Sequence, residues 1–200
     1  MSDETMTRWS VLEAAHEALL TVVGGVAEED WKRPTPCERW TVAQVLQHAA
    51  GDQLGFAASI TGGPGPSEDP FAPSGELTGA PLALAREAAE AARTAWATVA
   101  QDAPEVAVPV PPGRLPARVG AGACALDAAV HAWDIAVATG QPSPLTPWLA
   151  RELMPVATAI VEPLRAYGAY APAIEAEEGA GEDDAAALLR YLGRRPDWTA

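Results

Sequence analysis

The chain has 200 residues, 48% hydrophobic and 20% charged, which suits one globular domain over residues 1–200. Its 13 basic and 27 acidic side chains leave a net charge of −14, and that excludes nucleic acid and anionic membranes as default partners. No stretch approaches the roughly 20 apolar residues of a membrane helix, MSDETMTRWS lacks a secretory signal's basic-then-apolar run, and two cysteines are too few for a disulfide scaffold, so a reduced, cytoplasmic protein is expected.

Residues about 5–27 read as a first helix, with Trp9, Leu12, Ala15, Leu19 and Val23 along one side. The turn-rich segment Asp30 to Trp40 follows. Thr41 then has the place of an N-cap. Gln44, three residues on, completes a capping-box pattern that satisfies two orphan N–H groups. The second helix runs to about Ile60. Gly and Pro make TGGPGPSEDPFAPSGELTG, residues 61–79, a loop. It is long for a structureless connection, so it is expected to be mobile or functional.

A third helix starts near Pro81 and reaches about Gln101. Residues 103–116 are Pro-rich. The fourth helix spans 119–139 and stops at Gly140. Thr146 and Pro147 suit N-cap and N1 of a fifth helix, and its Pro155 and Pro163 predict a kink or break. The acidic run 174–184 reads as a solvated loop. A short helix at about 183–192 ends at Gly193. No convincing set of strands is visible. The expected class is all-α: a four-helix bundle with an extra helix and a short C-terminal helix.

The only histidines are His16, His48 and His131. Asp127 precedes His131 by four, and residues four apart stack on one helical face. The two could bind one metal ion together. If the second and fourth helices face each other, His48 supplies a third ligand. Two imidazoles and a carboxylate suit Zn, Ni or Fe(II), with positions left for water or substrate. The alternative is a set of ordinary hydrogen bonds, since such short spacings recur by chance.

Asp52, one turn after His48, could join or replace Asp127, or be a solvated carboxylate. Asp134 could orient the His131 ring, since metal-bound His usually donates its other N–H; it could equally bond Trp133, an Arg or backbone. Cys124 shares the stripe of Asp127 and His131 and could line the pocket or ligate a soft metal, although free Cys more often behaves as a small apolar residue. Cys37 reads as structural, and His16 as a surface or core residue. Most of the seven Trp residues should pack the core. Arg86, Arg93, Arg114 and Arg118 could meet an anionic substrate, with solvation the default for each.

Three segments carry a family likeness: DWKRPTPCERWTVAQVLQHAAGD (30–52), LDAAVHAWDIAVATGQP (126–142) and LLRYLGRRPDW (188–198). With them the chain resembles the DinB-like superfamily of metal-binding helical bundles. The likeness is strongest to the actinobacterial branch related to the N-terminal domain of mycothiol-dependent maleylpyruvate isomerase. That resemblance implies a DinB-like bundle with a divalent metal on His48, Asp127 and His131. Those isomerases usually offer Glu where this chain has Asp127, and they carry a second, C-terminal domain that this chain is expected to lack.

The function implied is a divalent-metal enzyme of the thiol-dependent isomerase or S-transferase type. Zn is the first choice of metal, with Ni or Fe as alternatives, and mycothiol is the implied co-substrate. The metal would activate a thiol or water for attack on a small electrophile. A thiol-independent biosynthetic enzyme and a non-enzymatic metal- or small-molecule-binding protein stand as alternatives. The expected partner is a small-molecule substrate, with no nucleic acid or membrane, and the expected state a monomer or homodimer.

Overall fold

Thr41 begins the second helix as its pattern requires. Its hydroxyl accepts from the Gln44 N–H at 3.4 Å, and Gln44 Oε1 accepts from the Thr41 N–H at 3.0 Å. The computed structural model describes residues 9–176 and 183–199. In chain order its elements are α1 (Ser10–Gly24), a 3₁₀ turn (Glu28–Lys32), α2 (Val42–Thr61), α3 (Pro81–Ala97), β1 (Val106–Ala107), β2 (Arg114–Leu115), α4 (Ala117–Ala138), α5 (Pro147–Arg165) and α6 (Asp184–Tyr191).

The bundle is α1 to α4. Helix α1 packs on α3 and α4, and α2 packs on the same two helices. Helix α5 lies on α4, and α6 lies on α5. Small residues let these helices approach closely. A Cβ added at Gly122 of α4 would stand 2.5 Å from a Val156 methyl of α5. Aromatic residues close the end between α1 and α3: Trp9 Nε1 donates to the Trp96 carbonyl at 2.8 Å, and the two rings meet edge-on at 5.4 Å.

Helix α4 departs from expectation. By length and composition alone it could cross a membrane. It is instead the central helix, with 89% of its most apolar window buried in the protein, and it carries Asp127, His131 and Asp134. Buried on all sides, it has no polar face to break its apolar run.

Other differences have local causes. Helix α1 is described from Ser10; the residues before Trp9 lie outside the described part, as do residues 177–182 of the acidic run. Helix α3 ends at Ala97, because the N–H groups of Thr98 and Val99 bond carbonyls three residues back, Ala95 and Trp96, each at 3.1 Å, and the Thr98 hydroxyl donates to the Ala95 carbonyl at 2.7 Å. The Pro-rich stretch holds a small antiparallel hairpin, Val106 opposite Leu115 and Ala107 opposite Arg114. Strands of two residues carry no readable alternation. Helix α5 is one element despite Pro155 and Pro163. Both prolines, and the residues Arg151 and Ala159 whose carbonyls they leave without a helical donor, face solvent, where water serves instead.

Candidate metal centre

Helices α2 and α4 lie side by side and bring His48, Asp127 and His131 together. One ligand atom from each lies within 4.8 Å of the other two. His48 Nε2 is 3.6 Å from Asp127 Oδ1, and His131 Nε2 is 3.4 Å from the same oxygen. Ligands about 2.1 Å from a tetrahedral zinc ion stand about 3.4 Å from one another. Donor types and spacing therefore both fit a divalent metal.

The far atom of each ligand is also held. His48 Nδ1–H donates to the Pro70 carbonyl at 2.9 Å. Asp127 Oδ2 accepts from Gln53 Nε2 at 3.2 Å. His131 Nδ1–H donates to Asp134 Oδ2 at 2.9 Å. Each partner turns its ligand so that the remaining atom faces the common centre, as partners of metal-bound residues do.

Gln53 is fully buried and uses both ends of its amide. Its NH2 group donates to Asp127 and, at 3.1 Å, to the Cys124 carbonyl. Its oxygen accepts from His16 Nε2–H at 2.7 Å and from the Cys124 thiol at 3.0 Å. Cys124 and His16 thus sit behind Asp127. Burial holds His16 below the ordinary imidazole pKa, and it pushes the Cys124 thiol well up.

A second chain of contacts backs His131. Asp134 is fully buried, and Arg194 grips it with Nε on Oδ1 and Nη2 on Oδ2, each at 2.8 Å. The Cys37 thiol donates to Asp134 Oδ2 at 3.2 Å, and Arg194 Nη2 donates to the Cys37 sulfur at 3.5 Å. Cys37, His131 and Asp134 are thus a second group with metal-ligand atoms in mutual reach. Its centre is occupied by protein hydrogen bonds and faced by a guanidinium. That arrangement orients His131 rather than holding a cation.

The charges follow from this packing. Burial pushes the Asp127 carboxyl up, but His131 and His48 more than offset it, and it lies well below the usual carboxylate range. Asp134 shows the same balance, with Arg194 the largest offset. Burial pulls His131 down, yet Asp127 and Asp134 win, and the ring holds its proton well above the ordinary value. Asp52 Oδ2 stands 3.8 Å from His48 Nε2. Burial, then the Asp127 charge, push its carboxyl up to about 7.

The structure thus brings together five of the six residues singled out from sequence as ligands or pocket candidates. Cys124 is the exception, its thiol turned to Gln53. Trp133 is buried, and Arg86, Arg93, Arg114 and Arg118 lie on the exposed surface. Arg93 pairs there with Glu90, and Arg114 with Glu105.

Sequence reasoning missed Gln53, Pro70, Arg194, Trp40 and Tyr170. Trp40 lies 4.6 Å from the His48 ring, between centroids. Tyr170 is part-buried, and its phenol is pushed up to about 12 by burial and by the Asp127 carboxylate. Arg194 had one readable signal: it lies in the third family-like segment.

A model of the mycothiol maleylpyruvate isomerase N-terminal domain matches residues 12–136, a span that holds His48, Asp127, His131 and Asp134. Two uncharacterized proteins of Mycobacterium tuberculosis, one from strain CDC 1551 and one from strain H37Rv, are each 34% identical over 155 residues. Each alignment covers 76% of this chain and 78% of the relative. No solved structure matches. The chain belongs to the family of the mycothiol maleylpyruvate isomerase N-terminal domain.

Proposed function

We propose that this protein is a divalent-metal enzyme that activates a low-molecular-weight thiol for attack on a small electrophile. One observation carries the reading: three ligand atoms converge within 4.8 Å while the far atom of each is tied to a separate partner. A divalent metal held there, zinc by first choice, supplies a Lewis-acidic centre that lowers the pKa of a bound thiol or water.

The chain's own residues do the rest. His48 and His131 offer Nε2 lone pairs, and Asp127 offers one oxygen and the only ligand charge. Three protein ligands leave a position open to an exogenous donor. Asp52 is the carboxyl at the centre with no ligand duty, and it takes up the proton the thiol gives up. The sulfur then bonds to the electrophilic carbon. Either a leaving group departs with the bonding pair, or the adduct rotates and expels the sulfur again, which gives isomerisation. Family membership supports mycothiol as the thiol, and the net charge of −14 supports a small-molecule rather than a nucleic-acid partner.

Elemental analysis of untagged protein, with His48→Ala and His131→Ala beside it, tests the metal. Both variants should lose it and keep the bundle's helical spectrum. Metal-loaded parent should then either isomerise maleylpyruvate only when thiol is present, with no net loss of thiol, or consume thiol with a chloronitrobenzene as chloride departs. Full metal retention in both variants would refute the site. Metal without any thiol-dependent turnover would refute the thiol.

A further inference from the structure

Residues 62–80 join α2 to α3 with no helix or strand of their own. Two glutamines of α2 hold them. Gln44, the residue that completes the capping box, donates from Nε2 to the Pro73 carbonyl at 3.0 Å. Gln47 Nε2 donates to Ser74 Oγ at 3.1 Å and to the Glu76 carbonyl at 3.0 Å, while its Oε1 accepts from the Gly75 N–H at 2.7 Å.

Pro70 seats on Gly51. A Cβ added at Gly51 would stand 2.8 Å from Pro70 Cγ and 2.9 Å from its Cβ, closer than real Cβ atoms come. From that seat the Pro70 carbonyl accepts the His48 Nδ1 hydrogen at 2.9 Å. The next ring, Phe71, meets His48 edge-on at 5.4 Å and is 64% exposed. Behind the segment lies a cavity of about 340 Å³, lined by Gln47, Gly51, Leu54, Pro70, Leu77 and Leu84 among others. The segment therefore bridges open space, and segments with few apolar contacts dock with little free energy.

We propose that residues 66–78 form a strap whose docking on Gly51 positions His48 for the metal, so that docking and metal binding strengthen each other. The proposal rests on the metal reading above. An imidazole carries its proton on one nitrogen or the other, and the bond made by one decides what the other offers. With Pro70 seated, Nδ1 keeps the hydrogen and Nε2 presents a lone pair toward Asp127 and His131. With the strap lifted, His48 loses that restraint on both tautomer and ring angle. Gly51 acts only through Pro70, as a positioning residue. Coupling of this kind is reciprocal: whatever factor docking adds to metal affinity, the metal adds to docking.

The test measures zinc affinity by competition with a chromophoric chelator, and amide exchange of the strap with and without zinc. Two variants accompany the parent. Gly51→Ala unseats Pro70, and Ala is a better helix former than Gly, so a loss cannot come from weakening α2. Gln47→Ala removes three hydrogen bonds to the strap, none of them to His48 or Pro70. Zinc should slow exchange across residues 66–78 in the parent. Gly51→Ala should bind zinc about 10–100-fold more weakly, and Gln47→Ala should lose affinity in the same direction. Parental affinity in both variants, or strap exchange that ignores zinc, overturns the proposal while the metal site stands. A loss confined to Gly51→Ala, with strap exchange unaltered by zinc, is a local clash at position 51 that the strap does not transmit, and overturns it equally. A parent that binds no zinc overturns the metal reading and this inference together.

Discussion

Arg194 grips Asp134 across 60 residues of chain, through two parallel hydrogen bonds of 2.8 Å. Asp134 in turn accepts from His131. The tail beyond α6 thereby reaches the orientation of a ligand on α4. Both partners are desolvated, with Arg194 11% and Asp134 0% exposed at the side chain. Removing one member of a buried pair strands the other, which typically costs about 3–5 kcal/mol. Arg194→Met should therefore lower unfolding stability by about that much in urea titrations. It should also weaken metal binding, because His131 loses a fixed acceptor. An unchanged unfolding midpoint would show that the pair contributes nothing net.

Acid stability follows from the same carboxylate. The folded Asp134 pKa lies well below the unfolded value. Its contribution is thus complete above the unfolded pKa of about 4 and is lost as pH falls below it. Metal-free parent should lose stability progressively as pH drops from about 5 toward 2. Asp134→Asn should start less stable at pH 7 and show a shallower acid decline. Parallel curves for the two would remove Asp134 as the source.

Metal uptake should release protons. In the metal-free protein His131 holds its proton well above the ordinary imidazole range, and its Nε2 faces Asp127 at 3.4 Å. A metal must displace that hydrogen. Calorimetry at pH 7 in buffers of different ionisation enthalpy should show about one proton released per metal from this site. Affinity should climb as pH rises, until it passes the raised His131 pKa. Metal binding that leaves bulk proton concentration and affinity indifferent to pH would contradict a charged His131.

Gln53 should matter although it offers no ligand atom of its own. Gln53→Met keeps the volume and removes the amide. It leaves the Asp127 Oδ2, the His16 N–H and the Cys124 thiol without their partner. Each buried polar group so orphaned costs about 1–3 kcal/mol. Stability should fall by several such increments at most, and metal affinity by about 10–100-fold, the usual range for a group that orients a ligand. Chelator competition beside urea unfolding separates the two effects. Affinity equal to the parent would mean that Asp127 needs no such tether.

What sequence could and could not reveal divides along physical lines. Thr41 with Gln44, Thr146 with Pro147, and Gly140 are local signals, and each marks a helix end where the structure has one. The Asp127 and His131 pair is also local, one turn of one helix. His48 joined them through the assumption that α2 and α4 face each other and through the family likeness. Asp134, three residues from His131, was readable because it too is local, but the rest of what holds those ligands in place is long-range or backbone. Arg194 is 60 residues from Asp134. Gln53 is 74 from Asp127. The acceptor for His48 is a main-chain carbonyl in the loop, which no side-chain pattern announces. The loop's length was the one feature of the sequence that drew notice to it.

Metal content of untagged parent protein beside His131→Ala decides whether His48, Asp127 and His131 hold a metal. The parent should carry near-stoichiometric divalent metal and the variant almost none, with both folded. A folded parent that takes up no Zn, Ni or Fe(II) even on reconstitution would contradict that, and would leave His48, Asp127 and His131 as a buried hydrogen-bond network.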